Sequence, residues 1–232
     1  MLFKTATRVF RSLVKFELHE SPTWTQSAGE ELANSISHGI GFVTALIATP
    51  ILLLAAFQHG GAGFFLGTII FASTIVLLYL GSTLYHAWPP TRGKSVLQVF
   101  DHCAIFLLIA GTYTPITLGP LRGPLGFAIL AAIWALAVFG IILKTARGTS
   151  RHRTLSLCLY LGMGWLGIVP LRPVLEVVPP VTLAWLVTGG IAYTLGVAFF
   201  VNERRSYNHF IWHLFVLSGT GCHFAAVLTC AV

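Results

Sequence analysis

Long apolar stretches separated by short polar segments dominate this chain. From Leu32 to Thr91 there is no Asp, Glu, Lys or Arg, and Gly60-Gly61-Ala62-Gly63 divides that region into two parts. Each part is long enough to cross about 30 Å of hydrocarbon as a helix. Further apolar stretches cover residues 96–118, 125–143, 154–171, 181–202 and 208–231. No stretch alternates between apolar and polar residues, so the pattern predicts an all-α, polytopic membrane protein with a seven-helix bundle over residues 32–232.

The first 31 residues differ from the rest because basic side chains recur among apolar ones. Lys4, Arg8, Arg11 and Lys15 lie at helical spacing, which predicts an amphipathic helix at the membrane surface. A cleaved signal or transit peptide is the alternative, but no apolar core and small-residue cleavage site directly follow the basic residues. We therefore expect residues 1–31 to form a retained cytoplasmic segment.

Composition agrees with the membrane interpretation. Hydrophobic residues make up 56% of the chain and charged residues only 9%, whereas about a quarter of the residues of soluble domains are charged. The net charge of +7 comes from short basic clusters between apolar stretches. That pattern orients membrane proteins, so we expect no nucleic-acid partner. The four cysteines lie within apolar stretches without CxxC spacing, and neither a disulfide framework nor a thiolate zinc site is indicated.

The basic residues also predict the orientation of the bundle. Of the 14 Lys and Arg residues, all except Arg122 and Arg172 fall on one side of the seven predicted spans. The positive-inside rule assigns the richer side to the cytoplasm. The amino terminus is therefore predicted to be cytoplasmic and the carboxyl terminus to be outside.

Ionisable side chains within a bilayer are costly and usually mark a functional site. With the predicted orientation, the second span ends at the cytoplasmic side with Ser82 and His86, and the third begins there with Asp101. The seventh span begins on the same side with His209 and His213. All five side chains are therefore expected in one leaflet.

Helical spacing indicates how these side chains meet. Residues four apart share a helix face, so His209 and His213 project together, as do Ser82 and His86. Three histidines that leave a fourth position for water are typical of catalytic zinc sites. Asp101 is placed to hold that water or accept its proton, and Ser82 to donate a hydrogen bond. The alternative is that each side chain is satisfied separately by a neighbouring helix, as isolated polar residues in membranes commonly are.

Three further observations concern the mechanism and the residues that the predicted site can include. The motif His-Phe-Ile-Trp-His lacks the Glu of HExxH metalloproteases, so that peptidase mechanism is not supported. His38, near the cytoplasmic start of the first span, either lines the site or serves helix packing. His223 lies about 15 Å further along the helix than His213, which is too far to bind the same ion.

The order of these residues resembles the hemolysin III family, the bacterial branch of the progestin and adipoQ receptor proteins. The matching motifs are Glu31-x2-Asn34-x3-His38-Gly39, Ser82-x3-His86, Asp101-His102 and His209-x3-His213. The resemblance implies zinc held by His86, His209 and His213, with Ser82 and Asp101 beside it. It also implies location in the plasma membrane, which is the inner membrane for a bacterial member of the family.

Related families include the adiponectin receptors and alkaline ceramidases, which implies hydrolysis of a lipid amide by zinc-activated water and a role in membrane-lipid homeostasis. Membrane lipids are then the expected partners, with a ceramide or another fatty-acid amide as substrate, and Zn²⁺ is the expected cofactor. The rival hypothesis is a sensor in which zinc has only a structural role. Pore formation fits poorly, because the spans lack the polar stripe of a water-filled pathway.

Overall fold

The computed structural model describes residues 26–147, 153–202 and 205–231. Most of the predicted amphipathic segment, residues 1–25, lies outside the described residues. The described part of the chain is helical and contains no β-strand. Its elements are α1 (Ala28–His59), α2 (Gly61–Ala87), α3 (Arg92–Leu118), α4 (Pro124–Arg147), α5 (Arg153–Gly164), a 3-10 turn (Leu166–Ile168), α6 (Leu171–Val177), α7 (Pro180–Val201) and α8 (Asn208–Ala231).

Six of these helices are long and apolar enough to cross a membrane, namely α1 to α4, α7 and α8. Large apolar side chains on them face outwards, as Ile47 and Phe57 of α1 do with 67% and 71% of their surface exposed. Outward-facing apolar surface of this kind is stable in lipid. The all-α, multi-pass membrane architecture is therefore confirmed.

The fifth predicted span, residues 154–171, is not one continuous helix. It is divided into α5, the 3-10 turn and α6, and the 12 residues of α5 cover only about 18 Å. The break falls where Gly164, Gly167 and Pro170 interrupt the sequence, residues that weaken or end a helix. The seven-helix interpretation holds with one broken span in fifth position.

One side chain satisfies the backbone at this break. The Tyr113 hydroxyl of α3 donates to the carbonyl oxygens of Met163 at 2.9 Å and Gly164 at 3.0 Å. The same hydroxyl oxygen accepts the Gly167 N–H at 3.0 Å. A broken helix within a membrane requires such partners, because its freed backbone groups have no water to bond to.

Most of the long helices pack against a neighbour in sequence, as α1 does on α2, α2 on α3, α3 on α4 and α7 on α8. α1 contacts both α2 and α8, which joins the first helix to the last. Small residues permit the closest approaches, as in other membrane bundles. A Cβ atom added at Gly67 of α2 would lie 2.6 Å from the Pro115 Cα of α3. Glycine is therefore required at this crossing.

The first span begins at Ala28 rather than at the predicted Leu32. A capping box explains the difference: the Ser27 hydroxyl accepts the Glu30 N–H at 3.3 Å, and the Glu30 carboxylate accepts the Ser27 N–H at 2.9 Å. Reciprocal bonds of this kind fix a helix start. As a result Glu30 and Glu31 belong to the first turn of α1, at the end of the bundle where α2 finishes and α8 begins.

Candidate metal centre

Three imidazoles meet where the end of α2 faces the start of α8. His86 comes from α2, and His209 and His213 come from successive turns of α8. One ring nitrogen from each lies within 4.8 Å of the other two. The three side chains are buried, with 4%, 9% and 1% of their surface exposed. The structure thus brings together the three histidines singled out in the sequence, and the cluster could hold a metal ion.

His86 shows the hydrogen-bonding pattern expected of a ligand. Its Nδ1 atom lies 2.7 Å from Glu31 Oε2, whereas its Nε2 atom is buried and has no hydrogen-bond partner among the described residues. Leaving a buried polar atom unpaired costs about 1–3 kcal/mol. A metal ion between the imidazoles would supply the missing partner, so the residues present fit a metal.

His213 is held in a similar way from α1. Its Nδ1 atom lies 3.1 Å from the Ser37 hydroxyl and 3.3 Å from the Asn34 carbonyl oxygen. Ser37 in turn donates to the same Asn34 oxygen at 2.8 Å. The Nδ1 atom of His213 is therefore occupied, and Nε2 is the nitrogen left for an ion.

His38 lies against this cluster without belonging to it. Its ring stacks on that of His213 with centroids 3.6 Å apart and an angle of 6° between the planes. The Tyr79 ring meets His38 edge-on at 5.1 Å. His38 is not among the residues whose ligand atoms converge. Its contacts are those of a packing residue that also borders the site.

Asp101 and Ser82 border the same internal cavity as His209 and His213, a space of about 110 Å³. Both side chains are buried. The Ser82 hydroxyl is within electrostatic reach of the Asp101 carboxyl, but its Oγ makes no hydrogen bond of standard geometry with any described residue. The two groups are therefore neighbours in the cavity without a hydrogen bond between them.

The remainder of the cavity is largely apolar. Leu108, Leu161, Val197 and Val216 are among the side chains that line it, and they come from α3, α5, α7 and α8. His223 also lines the cavity, and its Nε2 atom contacts the Leu186 carbonyl oxygen at 3.2 Å. The imidazole of His223 is not part of the metal-competent cluster. This arrangement agrees with the prediction that His223 is too distant to bind the same ion as His213.

Glu31 and Ser37 were not singled out as site residues from the sequence. Glu31 occurs in the first motif that carries the family resemblance, but its sequence position does not show that it reaches an imidazole 55 residues away on another helix. Ser37 has no distinguishing sequence signal beyond its neighbour His38. Both contacts depend on how α1 packs against α2 and α8.

Comparison with known proteins finds one matching family and several similar proteins. The family described as Haemolysin-III related matches residues 26–224. Hemolysin-3 of Bacillus cereus is 44% identical over 204 residues, which cover 88% of this chain and 93% of the relative. The hemolysin-3 homolog of Bacillus subtilis (strain 168) is 41% identical over 199 residues, with coverage of 86% and 93%.

A more distant match is the heptahelical transmembrane protein ADIPOR2 of Oryza sativa subsp. japonica. It is 28% identical over 156 residues, which cover 59% of this chain and 68% of the relative. The bacterial relatives and the apolar helices together identify a multi-pass bacterial membrane protein. The chain belongs to the hemolysin III-related family.

Proposed function

We propose that this protein is a zinc-dependent hydrolase of membrane lipids, acting on an amide-linked lipid such as a ceramide. The observation that carries the proposal is the convergence of three buried imidazoles within 4.8 Å of one another. Two of those imidazoles border an apolar cavity that also contains a carboxyl group, Asp101. Membrane lipids are the corresponding partners, and their turnover would contribute to lipid homeostasis.

The donor set favours zinc. Imidazole nitrogens suit Zn²⁺ among the divalent ions, and three histidines leave a position open in a tetrahedral site. His86, His209 and His213 would hold the ion. When bound in such a site, zinc polarises a carbonyl group and lowers the pKa of water towards about 7.

The protein's own groups would supply proton transfer and substrate binding. Asp101 would accept the proton of the attacking water and later return it to the leaving amine, as a general base and acid does. Ser82 would donate a hydrogen bond that orients the attacking water, since its hydroxyl borders the same cavity as Asp101 and has no other partner among the described residues. The apolar side chains of the cavity suit a fatty acyl chain and would keep bulk water from the reacting groups.

A second candidate function is a lipid sensor with a structural metal. It is favoured by the origin of the imidazoles on two different helices, α2 and α8. An ion bound there would join these helices, and its binding free energy would stabilise one arrangement of the bundle. Lipid composition could then shift the equilibrium between arrangements. In this function Asp101 has no chemical role.

The substitution Asp101→Asn distinguishes the two functions. It keeps the size of the side chain but removes the proton acceptor, so a hydrolase should lose about 100-fold or more in turnover while its zinc content is retained. The measurement is hydrolysis of ceramides and related lipid amides by wild type and variant in matched detergent or bilayer preparations, with metal content determined for each. Thr117→Val is the control. Among the described residues, the Thr117 hydroxyl donates to the Tyr113 and Thr114 carbonyl oxygens of its own helix, α3, and Thr117 does not line the cavity.

Equal turnover by wild type and Asp101→Asn would exclude the general-base role. Absence of turnover by metal-replete wild type across these lipid amides would replace the hydrolase with the sensor. Loss of turnover in Thr117→Val as large as in Asp101→Asn would show that any buried substitution in α3 disturbs the site.

A further inference from the structure

Two side chains of α1 contact imidazoles of the cluster at the same ring position. Glu31 Oε2 lies 2.7 Å from His86 Nδ1, and Ser37 Oγ lies 3.1 Å from His213 Nδ1. α1 supplies no ligand atom to the cluster of His86, His209 and His213. Its two side chains instead touch the outer nitrogen of two potential ligands, which come from different helices.

The chemistry of each contact determines which nitrogen of the imidazole carries the proton. A carboxylate has no proton to give and can only accept, so His86 must donate from Nδ1 to Glu31. In a neutral imidazole the other nitrogen then carries the lone pair. The Nε2 atom of His86 is the buried nitrogen that has no hydrogen-bond partner in the described chain. Glu31 thus selects the form of His86 that can bind a metal through Nε2.

Ser37 produces the same result at His213. The Ser37 hydroxyl hydrogen is directed to the Asn34 carbonyl oxygen at 2.8 Å, so its oxygen is left to accept from His213 Nδ1. The second neighbour of that nitrogen, the Asn34 carbonyl at 3.3 Å, is also an acceptor. Both partners require a proton on Nδ1, and Nε2 of His213 is again left with the lone pair.

Glu31 is itself held firmly by a third helix. Lys94, in the first turn of α3, pairs with Glu31 Oε1 at 2.9 Å. The same ammonium group donates to the Tyr85 and Trp88 carbonyl oxygens at the end of α2, at 3.0 Å and 3.2 Å. The side chains of Lys94 and Glu31 are only 18% and 23% exposed. One oxygen of the carboxylate is therefore anchored while the other faces His86.

We propose that Glu31 and Ser37 are positioning residues that fix His86 and His213 with Nε2 presented to the metal, and that Lys94 holds Glu31 in place for this role. The inference rests on the proposed metal site and concerns how the chain prepares it. Partners of ligand imidazoles typically change metal affinity about 10- to 100-fold when they are removed.

The test measures the zinc dissociation constant of the full-length protein in detergent by competition with a chelator. The variants are Glu31→Leu, which removes the acceptor, Glu31→Gln, which keeps an acceptor oxygen without the charge, and Ser37→Ala. We expect zinc binding to weaken about 10- to 100-fold in Glu31→Leu and less in Glu31→Gln. Ser37→Ala should show a smaller loss, because the Asn34 carbonyl still accepts from His213.

Two control variants separate positioning from general damage. Ser35→Ala removes a hydroxyl that donates from α1 to the Thr83 carbonyl of α2 at 3.3 Å without touching an imidazole. Glu176→Gln removes a carboxylate paired with Arg172 on α6. Both should bind zinc as wild type does. The absorption spectrum of Co²⁺-substituted protein should change in Glu31→Leu and remain unchanged in both controls, since it reports the ligand geometry rather than stability.

Thermal unfolding of each metal-free variant shows whether a variant with weakened zinc binding is still folded. Wild-type zinc affinity in Glu31→Leu and Ser37→Ala, together with loss of zinc in His86→Ala, would overturn the positioning inference and leave the metal site intact. Wild-type affinity in His86→Ala would instead reject the metal assignment and this inference with it. An equal loss of affinity in Ser35→Ala would show a merely structural effect and also overturn the inference. Should Glu31→Leu fail to fold, Glu31→Gln and Ser37→Ala carry the same comparison.

Discussion

At the scale of single residues, the candidate metal centre consists of three buried imidazoles, those of His86, His209 and His213. The i, i+4 spacing of His209 and His213 places both rings on one face of α8, and their centroids lie 4.8 Å apart. His86 meets them from α2, at 5.2 Å and 5.0 Å. Burying three imidazoles together is unfavourable unless their nitrogens find partners. A shared ion is the simplest partner for all three.

Removing two of the three imidazoles should remove the metal. We expect purified wild-type protein to contain about one zinc per chain and the double variant His209→Ala, His213→Ala to lose most of it, because only one protein ligand remains. Thermal stability should fall as well, since the ion would join α2 to α8. Elemental analysis and thermal unfolding in the same detergent measure the two effects.

His223→Ala is the matched control, because it makes the same change on the same helix outside the cluster. That variant should keep its zinc. Full zinc occupancy in the double variant would show that the ligands have been wrongly assigned.

At the scale of elements, the fifth span departs most from a simple transmembrane helix. A chain that breaks within the hydrocarbon leaves carbonyl and N–H groups without their helical partners. Tyr113 of α3 bonds to such groups on both sides of the break, the Met163 and Gly164 carbonyls and the Gly167 N–H. The short helix α5 is also joined to α3 by the Tyr160 hydroxyl, which donates to the His102 carbonyl oxygen at 2.8 Å, so the Tyr113 hydroxyl has its particular role at the break itself.

Tyr113→Phe tests that role. The substitution keeps the ring but leaves the backbone groups at the break unsatisfied, and we expect the free energy of unfolding to fall by about 1–3 kcal/mol. Equilibrium unfolding in matched detergent micelles is the measurement. Tyr207→Phe serves as the control, because it makes the same chemical change at an exposed side chain outside the helices. If both variants lost the same stability, the hydroxyl of Tyr113 would have no particular role at the break.

At the scale of the whole molecule, charge determines how the bundle is oriented in the membrane. The five side chains of the candidate site lie where α2 ends and where α3 and α8 begin. Most of the basic residues in the described part of the chain lie at this end, whereas Arg122 and Arg172 lie at the other end. Lysine and arginine are retained on the cytoplasmic side during insertion. The candidate site is therefore expected in the cytoplasmic leaflet.

Reporter fusions test this orientation. A reporter at Val232 should behave as extracytoplasmic, and one inserted in the segment of residues 144–153 should behave as cytoplasmic, because the distribution of basic residues is so uneven. An enzyme active only in the periplasm and a fluorescent protein active only in the cytoplasm are complementary reporters, and each site serves as the control for the other. A carboxyl terminus found inside would reverse the topology and remove the site from the cytoplasmic leaflet.

The sequence by itself determined the features that depend on local pattern. Apolar length predicted the spans, because a helix must bury its backbone groups across a fixed thickness of lipid. Helical periodicity predicted that His209 would project with His213. The motif order from Glu31 to His213 was sufficient to identify the family.

The tertiary structure alone decided the features that depend on helices distant in sequence. The contact of Glu31 with His86, the stacking of His38 on His213 and the support of the broken span by Tyr113 all join separate helices. Sequence spacing fixes the direction of a side chain about its own helix axis, but not the rotation and depth of the neighbouring helix. Those are set by close packing at small residues such as Gly67, and for this reason the contacts of Glu31 and Ser37 with the imidazoles became visible only in the folded bundle.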